Sequence, residues 1–272
     1  MTICKIHQIY YSQESFQALD PGFIPLNNSQ GRSDWMEYWP IRQYFMNTPA
    51  ADNELIGFLS PRFYEKTGLT AANVNSHIQE NPGKDIYLFN PYFHLAAWYD
   101  NVFTQGEQAH PGIISATEFI LNYLDIDLKI HNLAMSSQDT VYCNYFIANM
   151  KFWRKWLIIS EFIFQLAENK NSEIGRILCN TTSYERGNLP MKIFIIERVA
   201  SLVLLATNDI KSKEKLTFLN MGYASNKDIN LLEEMTILDS LKTSYKHNNN
   251  PCYIDSYNKR KKFLGEEYKL HI

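Results

Sequence analysis

Residues 54–68 read ELIGFLSPRFYEKTG, and the fold turns on how this stretch is taken. An apolar run, Leu55 to Leu59, has the length of a buried strand and stops at Ser60 and Pro61. Arg62 and Lys66 follow, four residues apart, in what reads as the opening of a helix. Ser60 is placed to cap it, Pro61 suits its first position, and Gly68 suits its end. Such a junction is either an ordinary chain reversal or a grip for an anion, since a helix start presents free N–H groups and a positive dipole end.

Outward from this stretch, strands and helices alternate. Residues 3–11 are rich in β-branched and aromatic side chains and predict a buried first strand. Residues 20–28, DPGFIPLNN, predict a loop. Residues 33–47 predict a helix capped by Ser33 or Asp34, with Pro40 opening a new turn or kinking it. Residues 70–79 predict a short helix, and DIYLFNP, 85–91, a third buried strand. Helices are expected over 94–106 and 112–124, joined by the loop EQAHPG, then a strand over 141–149. Two apolar helices over 150–168 and 190–207 and a late strand over 215–223 complete the pattern. The expected architecture is α/β, a Rossmann-like mixed sheet flanked by helices, with a helix-rich second half. One domain is expected over 1–245, and a polar, basic tail with little core over 246–272. Ligands of such sheets bind at the carboxyl ends of strands, where Tyr10, Ser60 and Asn90 fall.

Composition narrows the classes. The chain has 272 residues, 45% hydrophobic and 20% charged, as in a globular protein with a full core. A formal net charge of −3 argues against a general nucleic-acid binder. Cys4, Cys143, Cys179 and Cys252 lie far apart without a C-x-x-C, so neither a zinc site nor a disulfide framework is expected, and free thiols fit a reducing cytoplasm. The start, MTICKIHQIYY, lacks the charged and apolar regions of a signal peptide. The most apolar stretches, 156–167 and 191–207, are broken by charge and too short to span a bilayer. No G-x-S-x-G, Walker A or G-x-G-x-x-G occurs, which leaves hydrolase and P-loop readings without support.

KIHQIYY (5–11) resembles the first strand of GT-A glycosyltransferases. ELIGFLSPRFYEKTG, NYFIANMKFWRKWL (144–157) and KIFIIERVASLVLL (192–205) resemble, in the same order, segments of small galactosyltransferase-like proteins from bacterial capsule and O-antigen loci. The resemblance implies a GT-A-like fold and transfer of a sugar from a nucleotide donor, a UDP-sugar before others, to a surface polysaccharide. The acceptor would be a glycan or lipid-linked glycan, met at the inner face of the cytoplasmic membrane. It also implies a metal-binding D-x-D at a central strand end. Here DIYLFNP offers Asp85 alone, at the strand start, so no metal ligand is assigned and the Mn²⁺ or Mg²⁺ usual in the family is left open.

The donor side of the site is expected to include His7, Gln8, Tyr10, Ser60, Arg62, Lys66, Asp85 and Asn90. For Arg62 and Lys66 the plain alternative is pairing with Glu65. Glu107 and His110, in the 107–112 loop, are catalytic candidates with Glu197, Glu107 as an alternative general base; otherwise the loop holds a polar substrate or has no role. Glu197 interrupts an apolar helix beside Arg198: either Arg198 closes onto a loop carboxylate, or Glu197 reaches the site as general base. Asn144 and Tyr145 are candidates for an acceptor hydroxyl or a strand-edge pair. Asp125 and Asp127 form the one literal D-x-D, at an expected helix end, where a solvated turn competes with a metal ligand. Lys259 to Lys262, beside Phe263, are candidates for contact with anionic headgroups, or a solvated tail offset by Glu266 and Glu267. The rival from another class is a noncatalytic glycan-binding or assembly protein that kept the fold.

Overall fold

The computed structural model describes residues 3–184, 187–219 and 230–268. In its first half the chain runs β1 (Cys4–Tyr10), α1 (Gln13–Gln17), β2 (Ile24–Asn27), α2 (Tyr38–Asn47), β3 (Leu55–Leu59), α3 (Phe63–Thr67), α4 (Ala71–Glu80) and β4 (Ile86–Leu88). Then come α5 (Phe93–Trp98), α6 (Val102–Ala109), α7 (Ile113–Tyr123), β5 (Phe146–Ala148), α8 (Met150–Glu168) and α9 (Glu173–Cys179). A hairpin, β6 (Thr181–Tyr184) and β7 (Gly187–Pro190), precedes α10 (Met191–Ile196), α11 (Val199–Ala206), β8 (Ser212–Glu214), α12 (Leu231–Asn248) and α13 (Pro251–Tyr268).

Six strands form one mixed sheet in the order β2-β1-β3-β5-β4-β8. Only β5 runs against its neighbours; β3 and β4 flank it, and β1, β2 and β8 follow their direction. The protein is thus α/β, with a sheet whose central strands β3, β5 and β4 are fully buried, while the edge strands β2 and β8 are more exposed. β3 shows why its run is continuously apolar. Ile56 and Phe58 enter the larger core, under α2, α7, α8 and α11, while Leu55 and Leu59 enter a second core under α3 and α4. Gly57 is needed between them, because a Cβ there would lie 2.4 Å from Ile147 on β5. A third core joins Phe93, Ala97 and Trp98 of α5 to Leu231, Met235 and Leu238 of α12 and to Tyr257 and Leu264 of α13.

Several expectations are corrected. The helix expected over 33–47 starts as a 3-10 turn, Ser33–Trp35, and breaks at Met36, whose φ is 44°; α2 follows, with Pro40 in its first turn. The strand expected over 141–149 is confined to β5, because Cys143 and Asn144 take left-handed backbone. The helix expected over 94–106 is split at Tyr99, and the one over 190–207 at Glu197 and Arg198, where the buried Arg198 turns into the core. The late strand lies earlier, at Ser212–Glu214; residues 220–223 of the stretch expected for it lie outside the described residues. The tail is not a loose appendage. Residues 251–268 are a helix packed on α12, with Tyr257 and Leu264 fully buried. The Tyr257 hydroxyl donates to the Trp98 carbonyl at 2.6 Å. Among the described residues no helix is long and apolar enough to cross a membrane.

Candidate functional site

At Ser60 the chain leaves β3 and turns, with the Phe63 N–H donating to the Ser60 carbonyl at 3.1 Å. The helix that follows has five residues, and its cap position is Arg62, not Ser60. Gly68 closes it in left-handed backbone (φ 69°), as its position in sequence predicts. Arg62 binds Glu65 through two bonds of 2.9 and 2.7 Å, which is the plain alternative for that residue. Ser60 is turned the other way: its hydroxyl meets the Tyr145 hydroxyl at 2.6 Å.

Lys66 points inward. Its Nζ donates to Cys143 Sγ at 3.1 Å and stands 5.8 and 5.9 Å from the rings of Tyr145 and Tyr92. Burial works against its charge, but the thiol and phenol groups around it hold its pKa above the ordinary lysine value. Burial also pushes the Cys143 thiol up to about 11, against the pull of Lys66, so it is protonated at neutral pH.

Two carboxyls share this field. Glu37, directly after the break at Met36, and Glu197, in the break between α10 and α11, are surrounded by protein but keep some contact with solvent. Burial raises the pKa of both; Arg198 and, more weakly, Lys66 lower Glu197, Lys66 also lowers Glu37, and Glu37 raises Glu197. The Tyr11 hydroxyl faces Glu37 without reaching hydrogen-bond geometry. It is buried and unpartnered, as are the Tyr142 hydroxyl and Asn144 Oδ1. Among the described residues the crevice therefore brings together two cations, Lys66 and Arg198, two carboxyls inclined to hold protons and several unsatisfied polar atoms, beyond the carboxyl ends of β1 and β3. Unsatisfied buried groups are costly in a fold. So is left-handed backbone at residues other than glycine, and Met36, Cys143 and Asn144 all adopt it here (φ 44°, 60° and 53°). Among the described residues these are three of the five non-glycine residues with positive φ, whereas buried unpartnered polar atoms also occur elsewhere, at His7, His77, His94, Asp139 and Trp156.

The remaining expected residues divide otherwise. Gln8 is used structurally, donating to the Ser60 carbonyl and accepting from the Asp20 N–H at 2.9 Å. His7 is buried against Tyr44 and Phe58 with neither ring nitrogen bonded, and burial lowers its pKa to about 4. Tyr10 packs its ring edge-on against Phe16. Asn90 is at the expected strand end, but its amide is spent on the Thr140 carbonyl and the Tyr142 N–H. Asp85 is at the opposite end of the strands, just before β4, bound to Asn149, the Lys211 N–H and Lys151. Glu107 lies in α6, not in a loop, and caps α7 by accepting from the N–H groups of Gly112 and Ile114. His110 ends α6, stacked on Phe194 and bonded to the Thr182 hydroxyl; burial and then Arg198 lower its pKa to about 4. Arg198 closes on the carbonyls of Val102 and Phe194 and on Gln105, not on a loop carboxylate. Asp127 is exposed beside Lys129, and the described residues contain no cluster of three or more potential metal ligands.

Of the residues that the sequence singles out, Ser60, Lys66, Asn144, Tyr145 and Glu197 come together around Lys66, and Glu37, Cys143 and Tyr142 join them without having been site candidates. For Glu37 a signal existed: it is a lone acid in the aromatic run WMEYW. The fold and the crevice define an α/β protein with an acid–base and cation constellation at strand ends. Comparison of the chain with protein-family models, with curated proteins and with solved structures yields no match.

Proposed function

We propose that the protein is a GT-A-like glycosyltransferase that moves a sugar from a nucleotide donor, a UDP-sugar first among candidates, to a bacterial surface-polysaccharide acceptor. The observation that carries this reading is the convergence of Lys66, Glu37 and Glu197 in one crevice. Each has a place in the reaction. The acceptor oxygen attacks the anomeric carbon, and the bond from that carbon to the donor diphosphate breaks, leaving its electron pair on the phosphate oxygen. Lys66, charged in a site of low water content, would stabilise that leaving group. The acceptor's proton needs a base, and a carboxylate with a raised pKa is matched to that task. Glu197 takes that role, with Glu37 holding its pKa up. The hydroxyls of Ser60 and Tyr145 and the open oxygen of Asn144 offer hydrogen bonds to sugar hydroxyls.

The test is a panel of UDP-, GDP- and CMP-sugars with purified protein, reading release of the nucleotide with and without glycan acceptors. Turnover of one donor, abolished by Lys66→Met in a protein that still melts cooperatively, supports the reading. No turnover and no nucleotide binding across the panel would overturn it in favour of a noncatalytic glycan-binding role.

A further inference from the structure

A second cavity, about 440 Å³, lies outside the crevice, along the sheet edge between the end of β2 and one side of α2. Its lining is chemically narrow. Asn27, Asn28, Gln30, Gln43 and Asn47 line it beside Leu26, Trp39 and Pro40, so carboxamides border a surface that is mostly apolar. Tyr44 completes an aromatic wall, and every lining residue is uncharged. The arginines nearest Trp39 are engaged by acids: Arg32 with Asp34 and Glu168, and Arg42 with Glu161.

We infer that this groove binds a neutral glycan segment, through carboxamide hydrogen bonds to hydroxyl pairs and packing of a sugar face on Trp39. A carboxamide both donates and accepts, which matches a sugar hydroxyl, itself donor and acceptor. An aromatic ring supplies apolar area at small entropic cost. The side-chain amides of Gln30 and Gln43 take no hydrogen bond within the described residues, so they are free for a ligand. Asn47 donates to the Gln43 carbonyl and keeps its own oxygen open. Asn28 is fixed by donating to the Met36 carbonyl at 3.3 Å. Gly31 makes room for this wall: a Cβ there would lie 1.7 Å from Asn28 Oδ1 and 3.0 Å from the Trp39 ring. Phosphates and acidic sugars have no cationic partner in the lining.

The groove also adjoins the crevice. The segment from Met36 to Trp39 carries Glu37 into one and Trp39 into the other. Neutral-glycan binding does not depend on the transferase reading. If that reading holds, the groove is where the acceptor chain rests while its end enters the crevice.

Binding is tested by titrating the full chain with neutral hexose and N-acetylhexosamine oligosaccharides, reading tryptophan fluorescence and heat. Sialylated and uronic-acid oligosaccharides serve as charged counterparts. The expected result is binding of a neutral oligosaccharide, weakened at least about tenfold by Gln43→Ala and by Gln30→Ala. These two changes remove no side-chain hydrogen bond within the described residues, so the variants should still melt cooperatively, and donor hydrolysis should stay at the wild-type level. Gly31→Ala, which displaces Asn28 or Trp39, should weaken binding as well. Binding that is equal in all variants, absent for every neutral oligosaccharide, or stronger for the charged ones overturns the inference. Loss of donor hydrolysis in Lys66→Met with oligosaccharide binding intact separates the two sites.

Discussion

Lys66 Nζ lies 3.1 Å from Cys143 Sγ, joining two segments 77 residues apart. The contact ties the turn after β3 to the left-handed turn before β5, and it sets the electrostatics of the crevice. Lys66, rather than Arg62, is the cation committed inward from this stretch. Replacing Lys66 by Met should weaken binding of a nucleoside diphosphate by about 1.5–3 kcal/mol, the scale of a hydrogen bond to a charged group. Arg62→Ala should cost much less, since its guanidinium is engaged by Glu65. Calorimetry on both variants decides, and a larger loss from Arg62→Ala would move the phosphate position to the surface of α3.

The two carboxyls predict a pH effect. The base must be ionised, so kcat/KM should rise with pH through the raised pKa of Glu197, above the ordinary glutamate range. Glu37 contributes to that rise by repelling negative charge. Glu37→Gln should therefore shift the acid limb to lower pH, and Glu197→Gln should lower kcat about 10²–10⁴-fold. An acid limb unmoved by Glu37→Gln would show that the two carboxyls are not coupled.

Stability toward acid should involve His7. Its folded pKa is depressed to about 4, first by burial and then by Lys5, from a reference value of 6.5. Between these values the unfolded chain binds a proton that the folded chain does not. The stability is fully present above pH 6.5 and is lost as pH falls toward 4, on the order of 3 kcal/mol over the whole window. His7→Phe fills the same place against Tyr44 and Phe58 and should remove that part of the loss. Urea unfolding at pH 7 and pH 4.5 measures it; an equal acid loss in both proteins would assign the effect to other groups, His110 among them.

The last helix should behave as core. Leu264→Ala should destabilise by about 2–5 kcal/mol, as for a buried leucine. Tyr257→Phe, which loses bonds to Trp98 and Asp100, should cost about 1–3 kcal/mol. For the membrane hypothesis, Arg260 is engaged by Glu234 and Lys261 by Asp100. Reversing the charges of Lys259 and Lys262 should leave co-sedimentation with anionic vesicles at low salt unchanged, and a clear loss would restore the anchor reading.

Metal dependence is checked directly. With no D-x-D at the β4 end, donor turnover is expected to persist in EDTA. Complete loss in EDTA, restored by Mn²⁺, would require ligands beyond those that local sequence reveals.

Much of this protein is written locally. The apolar run of β3, the Gly68 stop, the capped start of α4 and the long buried α8 follow from side-chain pattern and backbone preference, which act over a few residues. Lys66 is legible as one of two cations at a helix start that follows a strand, and Glu197 as a charge that interrupts an apolar helix. Tertiary structure decided the rest. Arg62 and Lys66 have the same charge and lie four residues apart, but one turns out to Glu65 and the other in to Cys143; a pattern in sequence cannot tell them apart. Asn90 lies at a strand end, as expected, and Gln8 lies within β1, but backbone groups distant in sequence consume their amides. The residues from 251 onward look too polar for a core, but buried Tyr257 and Leu264 are enough once α12 supplies the matching face. Glu37 enters the crevice because Met36 takes a left-handed turn held by the packing around it. Such long-range choices depend on which surfaces meet, and the free energy of that meeting belongs to no single segment.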